Sequence, residues 1–278
     1  MHLYEPFALV ALGVFAGAYG MIIGAGGGFI LVPLLILVWG LEPRVAVGTS
    51  LAAVVITALS GAQGYARGRL IDYRSGVLFG LAGIPGAVLG AVAVAKAPGG
   101  IVQLSMGALL LAIATYMALG PRVGAPASTG LAAGVARPGH SSRTVVTANG
   151  EEHVYAFHEP WAVAVNAVLG VAASFFGIGG GLMRTPILIY FFSFPVRIAV
   201  ATSVFTMILT SGAGVVSHAV LGNISPLVLL FAGIGVVVGA QLGVGIGARL
   251  RQGVVIRLLA GGLGITGVWL ILKGTGLV

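Results

Sequence analysis

The sequence predicts an all-α polytopic membrane protein made of two inverted-topology repeats. Each repeat is a re-entrant or broken helix hairpin followed by three transmembrane helices, and a small cytoplasmic β-hairpin sits between the repeats. Three observations lead there. The first is composition: 58% of residues are apolar and 7% charged, against about 25% charged in soluble domains. The second is a set of long uncharged runs. Residues 6–41, 45–66, 75–95, 97–121 and 160–183 contain no Lys, Arg, Asp or Glu, and neither do 198–248. A membrane-spanning helix needs roughly 20 such residues, and a membrane β-barrel would show short alternating segments instead. The third is a repeat. Sliding the chain by 153 positions carries Gly24, Gly26, Gly27, Gly28 and Pro33 onto Gly177, Gly179, Gly180, Gly181 and Pro186. In the same register VAVGTS (45–50) falls on IAVATS (198–203), and GAVLG (86–90) falls on GAQLG (239–243).

The apolar run that starts at Phe7 lacks a basic n-region and is too long for a cleaved signal peptide, so it is expected to belong to the first repeat. Three spans follow it, near 45–64, 75–95 and 100–119; their equivalents are 198–217, 227–247 and 254–272. The first repeat is assigned to 1–120 and the second to 161–278. Between them, 121–138 is rich in Gly, Ala and Pro and reads as linker. Residues 143–157 hold two β-prone runs around Asn149-Gly150, the signal for a hairpin with a type I′ turn.

Charge fixes the handedness of the repeat. If each Gly-interrupted run enters and returns on one side, each copy crosses the bilayer an odd number of times and the second copy is upside down. Arg67, Arg69, Arg74, Arg122, Arg137, Arg143, Arg197, Arg249, Arg251 and Arg257 then share one side, and Arg44, Lys96 and Lys273 the other. Ten against three is a clear positive-inside bias; parallel copies would leave seven against six. The bias puts both termini outside and the 121–160 loop in the cytoplasm of a cell with the protein in its plasma or inner membrane. The net charge of +8 is spread over these short loops, the pattern of topology signals rather than of a nucleic-acid surface. The absence of cysteine excludes disulfides and thiolate chemistry.

The glycines interrupt a run too long for one span and too short for two. Residues 29–39 would make about 16 Å of helix, roughly half a bilayer. Glycines 24–28 and 177–181 are therefore expected to be hairpin tips near the midplane, where irregular backbone is tolerated only inside protein or against a cavity. Broken helices at a repeat interface point to a transport site. Helix N-termini starting near Phe29 and Leu182 would present unpaired N–H groups and the positive end of a dipole, and glycine lets an anion approach them closely. Arg184 adds a full charge, and the spans hold no Asp or Glu to offset it. The expected site is anion-selective. It takes in Gly24, Gly26, Gly27, Gly28, Thr49, Ser50, Asn166, Gly177, Gly179, Gly180, Gly181, Arg184, Thr202 and Ser203. Gln63, His218 and Gln241 are candidates for coupling or gating.

Two Gly-x-Gly-Gly-Gly…Pro segments, each followed by a Thr-Ser pair at the start of the next helix, resemble the sulfite exporter TauE/SafE family. GGGLMRTPILIYFF and HAVLGNI in the second half strengthen the likeness. It covers nearly the whole chain, the 121–159 insert being the unusual part. The resemblance implies a bacterial or archaeal type of membrane permease, an exporter of sulfite, thiosulfate or organosulfonates such as sulfoacetate. It implies no nucleic-acid partner and allows a homodimer.

Each residue also has a plainer reading. The glycines could serve close helix packing, and the Thr and Ser hydroxyls could bond their own helix backbones. Arg184 could snorkel to an interface. Gln63 and Gln241 could join helices, and His218 could be a loop residue rather than a proton-coupling one. An anion channel, or a permease for another small anion or metabolite, remains the alternative function. Enzyme chemistry would need an acid–base cluster or an activated nucleophile; the spans offer neither, and no catalytic residue, metal or cofactor is expected.

Overall fold

The computed structural model describes residues 5–119, 139–247 and 252–275. The first five helices are α1 (Glu5–Ile23), α2 (Gly28–Leu37), α3 (Pro43–Arg67), α4 (Tyr73–Lys96) and α5 (Gly99–Leu119). Two strands follow, β1 (His140–Val146) and β2 (Glu152–His158). The last five helices are α6 (Glu159–Phe175), α7 (Gly181–Tyr190), α8 (Val196–Val220), α9 (Pro226–Gly247) and α10 (Gln252–Gly274). Among the described residues, six helices are long and apolar enough to cross a membrane: α1, α3, α4, α5, α8 and α9. The linker expected at 121–138 lies outside the described residues, as do Arg122, Arg137, Arg249 and Arg251.

The starts of α2 to α5, at 28, 43, 73 and 99, recur 153 positions later at 181, 196, 226 and 252. A helix stands at each of the three spans expected in each copy, with ends within three residues of the sequence reading, and five of the six are among the membrane-length helices. Local chemistry explains the boundaries. Pro43 opens α3, where its missing N–H costs nothing. The Asp72 carboxylate caps α4 by accepting from the Ser75 amide at 3.0 Å, and the His158 ring accepts from the Trp161 amide at 3.3 Å to cap α6.

The copies interlock rather than sit side by side. Helix α1 packs on α9 of the other copy, and α6 packs on α4. Glycines make both contacts close. Gly13 lies against Ala232 and Gly235, and Gly239 against Val14 and Ala18. On the opposite side Gly86 lies against Ala167 and Val171, and Gly83 against Gly170. Lipid offers no hydrophobic drive between helices, so this backbone-to-backbone approach is what holds them. At the centre, α3 and α8 run antiparallel: Gly48 faces His218 and Leu51 faces Gly214, while Val54 and Met207 meet at Gly26.

The two strands pair antiparallel, from His140 with His158 to Val146 with Glu152. The connection differs from the two-residue type I′ turn that Asn149-Gly150 suggested. The Thr147 amide donates to the Glu151 carbonyl at 2.9 Å, and the Gly150 amide to the Thr147 carbonyl at 3.0 Å. Gly150 alone is left-handed, with φ 81°, and Asn149 is not. This is the three-residue loop in which a type I turn ends on a left-handed glycine. Thr147 favours it, because its hydroxyl accepts from the Glu151 amide at 3.2 Å. The hairpin also docks on the helices. Tyr155 and Phe157 are 6% and 3% exposed and pack with Phe79, Phe192 and Phe194.

Gly86→Val should overfill the α4–α6 seam, where any side chain meets the Ala167 carbonyl, and destabilise the protein by about 1–3 kcal/mol or more. Gly212→Ala, on α8 with open space around it, should be neutral or gain up to about 1 kcal/mol. Melting of the detergent-purified variants reads both, and equal melting temperatures would contradict the packing role of the seam.

Candidate functional site

Helix α1 ends in a Schellman arrangement. The Ala25 amide reaches the Gly20 carbonyl at 2.7 Å and the Gly24 amide reaches the Met21 carbonyl at 3.2 Å, with Gly24 left-handed at φ 72°. Two more left-handed residues, Gly26 (φ 73°) and Gly27 (φ 83°), turn the chain back into α2. The second copy repeats this with Gly177 (φ 68°), Gly179 (φ 71°) and Gly180 (φ 73°). Helix α2 returns along α1, with Leu31 packed beside Ala16, so α1 and α2 form a hairpin of one long and one short arm.

The two tips touch. Gly28 lies against the Gly177 carbonyl and Ile178, and in the equivalent contact Gly181 lies against the Gly24 carbonyl and Ala25. Both tips press on the middle of the central helices: Gly26 and Gly179 each contact Val54 of α3 and Met207 of α8. Hydroxyls stitch the junction. Ser50 Oγ donates to the Gly177 carbonyl at 3.0 Å and lies 3.3 Å from that of Gly28. Thr185 Oγ1 reaches the Gly24 carbonyl and Ser211 Oγ the Gly179 carbonyl, both at 3.4 Å.

Among the described residues, Arg184 is the one guanidinium at the junction, and its side chain is fully buried. Its Nε donates to Asn166 Oδ1 at 2.7 Å. Asn166 is held in turn by its Nδ2 on the Ala162 carbonyl at 2.8 Å. The far end of the guanidinium folds back beside Gly180. Nη1 and Nη2 have no partner among the described residues, and no ion pair there includes Arg184. Burial rules out the snorkelling reading in this conformation.

The Thr-Ser pairs divide their work. Ser50 joins the tips, whereas Thr49 Oγ1 accepts from the Ser225 amide at 2.9 Å and Thr202 Oγ1 from the Asp72 amide at 3.0 Å. Asp72 and Ser225 are themselves 153 apart, so each threonine anchors the loop of the opposite copy. Ser203 is buried and its hydroxyl has no partner among the described residues. His218 sits inside the last turn of α8, fully buried, and not in a loop. Its Nε2 lies 3.2 Å from the Ser174 carbonyl. Its repeat equivalent, Tyr65, donates to the Met21 carbonyl at 2.8 Å, and Met21 is the equivalent of Ser174. The glutamines stand away from the tips. Gln63 is exposed on α3, and Gln241 Nε2 donates to the Ser60 carbonyl at 2.7 Å, joining α9 to α3. Sequence reasoning missed Ser174, Thr185 and Ser211. Ser174 is a lone hydroxyl in an apolar run, Thr185 follows Arg184 and Ser211 follows Thr210, and only the fold brings them to the tips. The Tyr65–His218 equivalence was readable from the 153-residue register.

A mostly apolar helical fold, interlocked repeats and a buried polar junction between broken helices define a multi-pass membrane transporter. Residues 9–270 match the family described as Sulfite exporter TauE/SafE, and the chain belongs to it. The chain is 32% identical over 234 residues to the Probable membrane transporter protein YunE of Bacillus subtilis, covering 80% of this chain and 81% of that one. It is 25% identical over 279 aligned residues to the Probable membrane transporter protein MJ0441 of Methanocaldococcus jannaschii, covering 95% and 94%. A Probable membrane transporter protein of Xylella fastidiosa is 30% identical over 184 residues, 66% of this chain and 62% of that one. No solved structure matches the chain.

The two tips should tolerate a methyl group unequally. Gly27→Ala places a Cβ on the Ala16 carbonyl, whereas Gly180→Ala meets Ala173 Cβ at 3.1 Å and the mobile end of Arg184 at 3.5 Å. Both carry the left-handed penalty of about 1–2 kcal/mol; Gly27→Ala should lower the melting temperature further. The reverse order would show that backbone contact does not set the tip geometry.

Proposed function

We propose that the chain exports small sulfur-containing anions, such as sulfite, thiosulfate or organosulfonates like sulfoacetate, and that the anion binds between the two tips on Arg184. The observation that carries this reading is the guanidinium itself. It is fully buried, aligned through Nε by Asn166, and its Nη1 and Nη2 are without partners. An unpaired Arg at mid-membrane costs at least about 2.5 kcal/mol on insertion scales, and such residues usually face an interior or a water-filled path. An oxyanion offers two oxygens to the free edge of the fork. The N-termini of α2 and α7, which start at the tips, add positive dipole ends to the same place. Glycines 24, 26–28, 177 and 179–181 let the anion approach, with Ser50 beside them and Ser203 at the equivalent position of the second copy.

The antiparallel run of α3 and α8 supports inverted repeats spanning 1–120 and 161–278. The returning short arms α2 and α7 support re-entrant hairpins whose tips lie near mid-depth. The ten-to-three distribution of basic residues supports a cytoplasmic 121–160 insert with both termini outside the inner membrane. The junction is sealed in this conformation, since Ser50, Arg184 and Ser203 are all fully buried. Transport therefore needs alternate opening on the two sides, as in other inverted-repeat carriers.

Two experiments test the reading. Sulfite, thiosulfate or sulfoacetate at 100 times its dissociation constant should stabilise the purified protein by about 2.7 kcal/mol. Arg184→Gln should abolish that shift and Arg184→Lys should restore part of it, with folding preserved in both. Variants that respond like the parent would remove Arg184 from the site. For topology, Ser142→Cys on the exposed face of β1 should be shielded from impermeant thiol reagents in intact cells and labelled in inverted vesicles. Labelling from outside would reverse the orientation.

A further inference from the structure

We infer that the permeation route is single and one-sided. It is a hydrated polar track along α8, lined by Ser203, Ser211, Ser174 and His218 and leading towards Asn223, while the equivalent track along α3 is closed with apolar groups. The inference extends the reading of Arg184 as the anion contact.

Unpartnered polar atoms show where the track runs. Seven buried side-chain polar atoms have no hydrogen-bond partner among the described residues. One, Arg143 Nε, belongs to the insert. The other six are Ser174 Oγ, Arg184 Nη1 and Nη2, Ser203 Oγ, His218 Nδ1 and Asn223 Nδ2. All six lie on α6, α7, α8 or the loop that follows α8. Unsatisfied buried groups cost free energy and are normally met by water or ligand. Six of them concentrated in one copy mark a place that water or an ion enters.

The α8 residues also share one helix face, with Met207, which touches both tips, between Ser203 and Ser211. Positions 203, 207, 211, 214 and 218 recur every three or four residues and share one face of α8. Ser211 on that face bonds the tip at Gly179. Gly214, next along it, has Ser174 Oγ and Leu51 as its neighbours. His218 then meets the Ser174 carbonyl through Nε2, and its buried Nδ1 has no hydrogen-bond partner among the described residues. The Asn223 amide donates to the His218 carbonyl at 2.9 Å, and Leu221 and Gly222 beside it are exposed. The stripe thus passes the tip junction near Arg184 and comes out at the end of α8.

The repeat supplies the control. The equivalents of Ser174, Arg184, Ser211, His218 and Asn223 are Met21, Leu31, Ala58, Tyr65 and Leu70. Four of these are apolar and Tyr65 has its hydroxyl on the Met21 carbonyl. Ser50, the equivalent of Ser203, reaches two carbonyls. Met21 fills the space at Gly61, where the second copy leaves Ser174 beside Gly214. One backbone plan therefore carries a polar lining in one copy and a dry one in the other.

The chain has no cysteine, so single cysteines can report access directly. Ser203→Cys and Ser50→Cys are matched and nearly isosteric; Ser174→Cys and Met21→Cys occupy equivalent positions, although the second also shortens the side chain that fills the space at Gly61. Each full-length variant, reconstituted in liposomes without any added anion substrate, would be treated with a small charged methanethiosulfonate reagent. Ser203→Cys and Ser174→Cys should react at least ten-fold faster than Ser50→Cys and Met21→Cys. Equal rates within a pair, or faster reaction in the first copy, would overturn the one-sided route. If Met21→Cys does not fold, the Ser203–Ser50 pair decides alone. Because no anion is present, this outcome is separate from whether sulfite binds Arg184.

Discussion

Six left-handed glycines are the constraint on which the rest of the structure depends. Positions 24, 26, 27, 177, 179 and 180 all have φ between 68° and 83°, a region that costs an L-residue about 1–2 kcal/mol each time. Without them the chain could not reverse within four residues and present Gly28 and Gly181 to the opposite tip with no side chain between. That contact sets the spacing of α3 and α8, which the tips touch at mid-length, and hence the seams of α1 on α9 and α4 on α6. A pair of broken helices meeting backbone to backbone is both the keystone of the packing and the place where a guanidinium is left with two unpaired nitrogens.

The same contact explains why the two copies could diverge in side chains without diverging in shape. The backbone repeats residue for residue, from Thr49–Ser225 and Thr202–Asp72 to Tyr65–Met21 and His218–Ser174. The last pair is instructive. In both copies a ring at one position bonds a carbonyl in the last turn of the hairpin's long arm, so His218 has a structural role that Tyr65 shares. What Tyr65 lacks is a second ring nitrogen. Any function of His218 beyond holding that turn must therefore act through Nδ1, the atom without a partner.

The fold was legible wherever it depended on local pattern or on the register of the repeat. Span ends, glycine tips, the Arg184–Leu31 asymmetry and the existence of a hairpin insert could all be read from residues. What escaped notice depends on contacts distant in sequence. The Thr-Ser pairs looked like one unit, yet Ser50 faces the tips and Thr49 faces Ser225, because adjacent helical residues point about 100° apart. Asn149-Gly150 suggested a two-residue turn, but the Thr147 hydroxyl on the Glu151 amide favoured a longer one. His218 beside LGN resembled a loop residue, and only the α3–α8 contact shows that it lies on the covered face of the last turn of α8, against Gly48.

The insert breaks the symmetry of the two ends of the bundle. Asp72 and Ser225 are equivalents, and both give their amide to a threonine of the other copy, but only Asp72 carries a carboxylate. That carboxylate accepts from Ser75 Oγ at 2.5 Å and from the Tyr155 hydroxyl at 2.8 Å, with Arg143 3.8 Å away and itself paired with Glu159. Burial, and then the nearby Asp72 charge, push the Tyr155 phenol well above its ordinary range, so it remains the donor. The turn of the hairpin adds a bond from the Ala148 amide to the Gly68 carbonyl at the end of α3. Opening the helices at this end would have to pull Tyr155 and Phe157 from Phe79 and Phe194 and strand a buried carboxylate. The opposite end, at Ser225, carries no such clamp among the described residues. Separating the helices thus costs differently at the two ends of a symmetric backbone, and the difference resides in a short ribbon that the repeat itself does not encode.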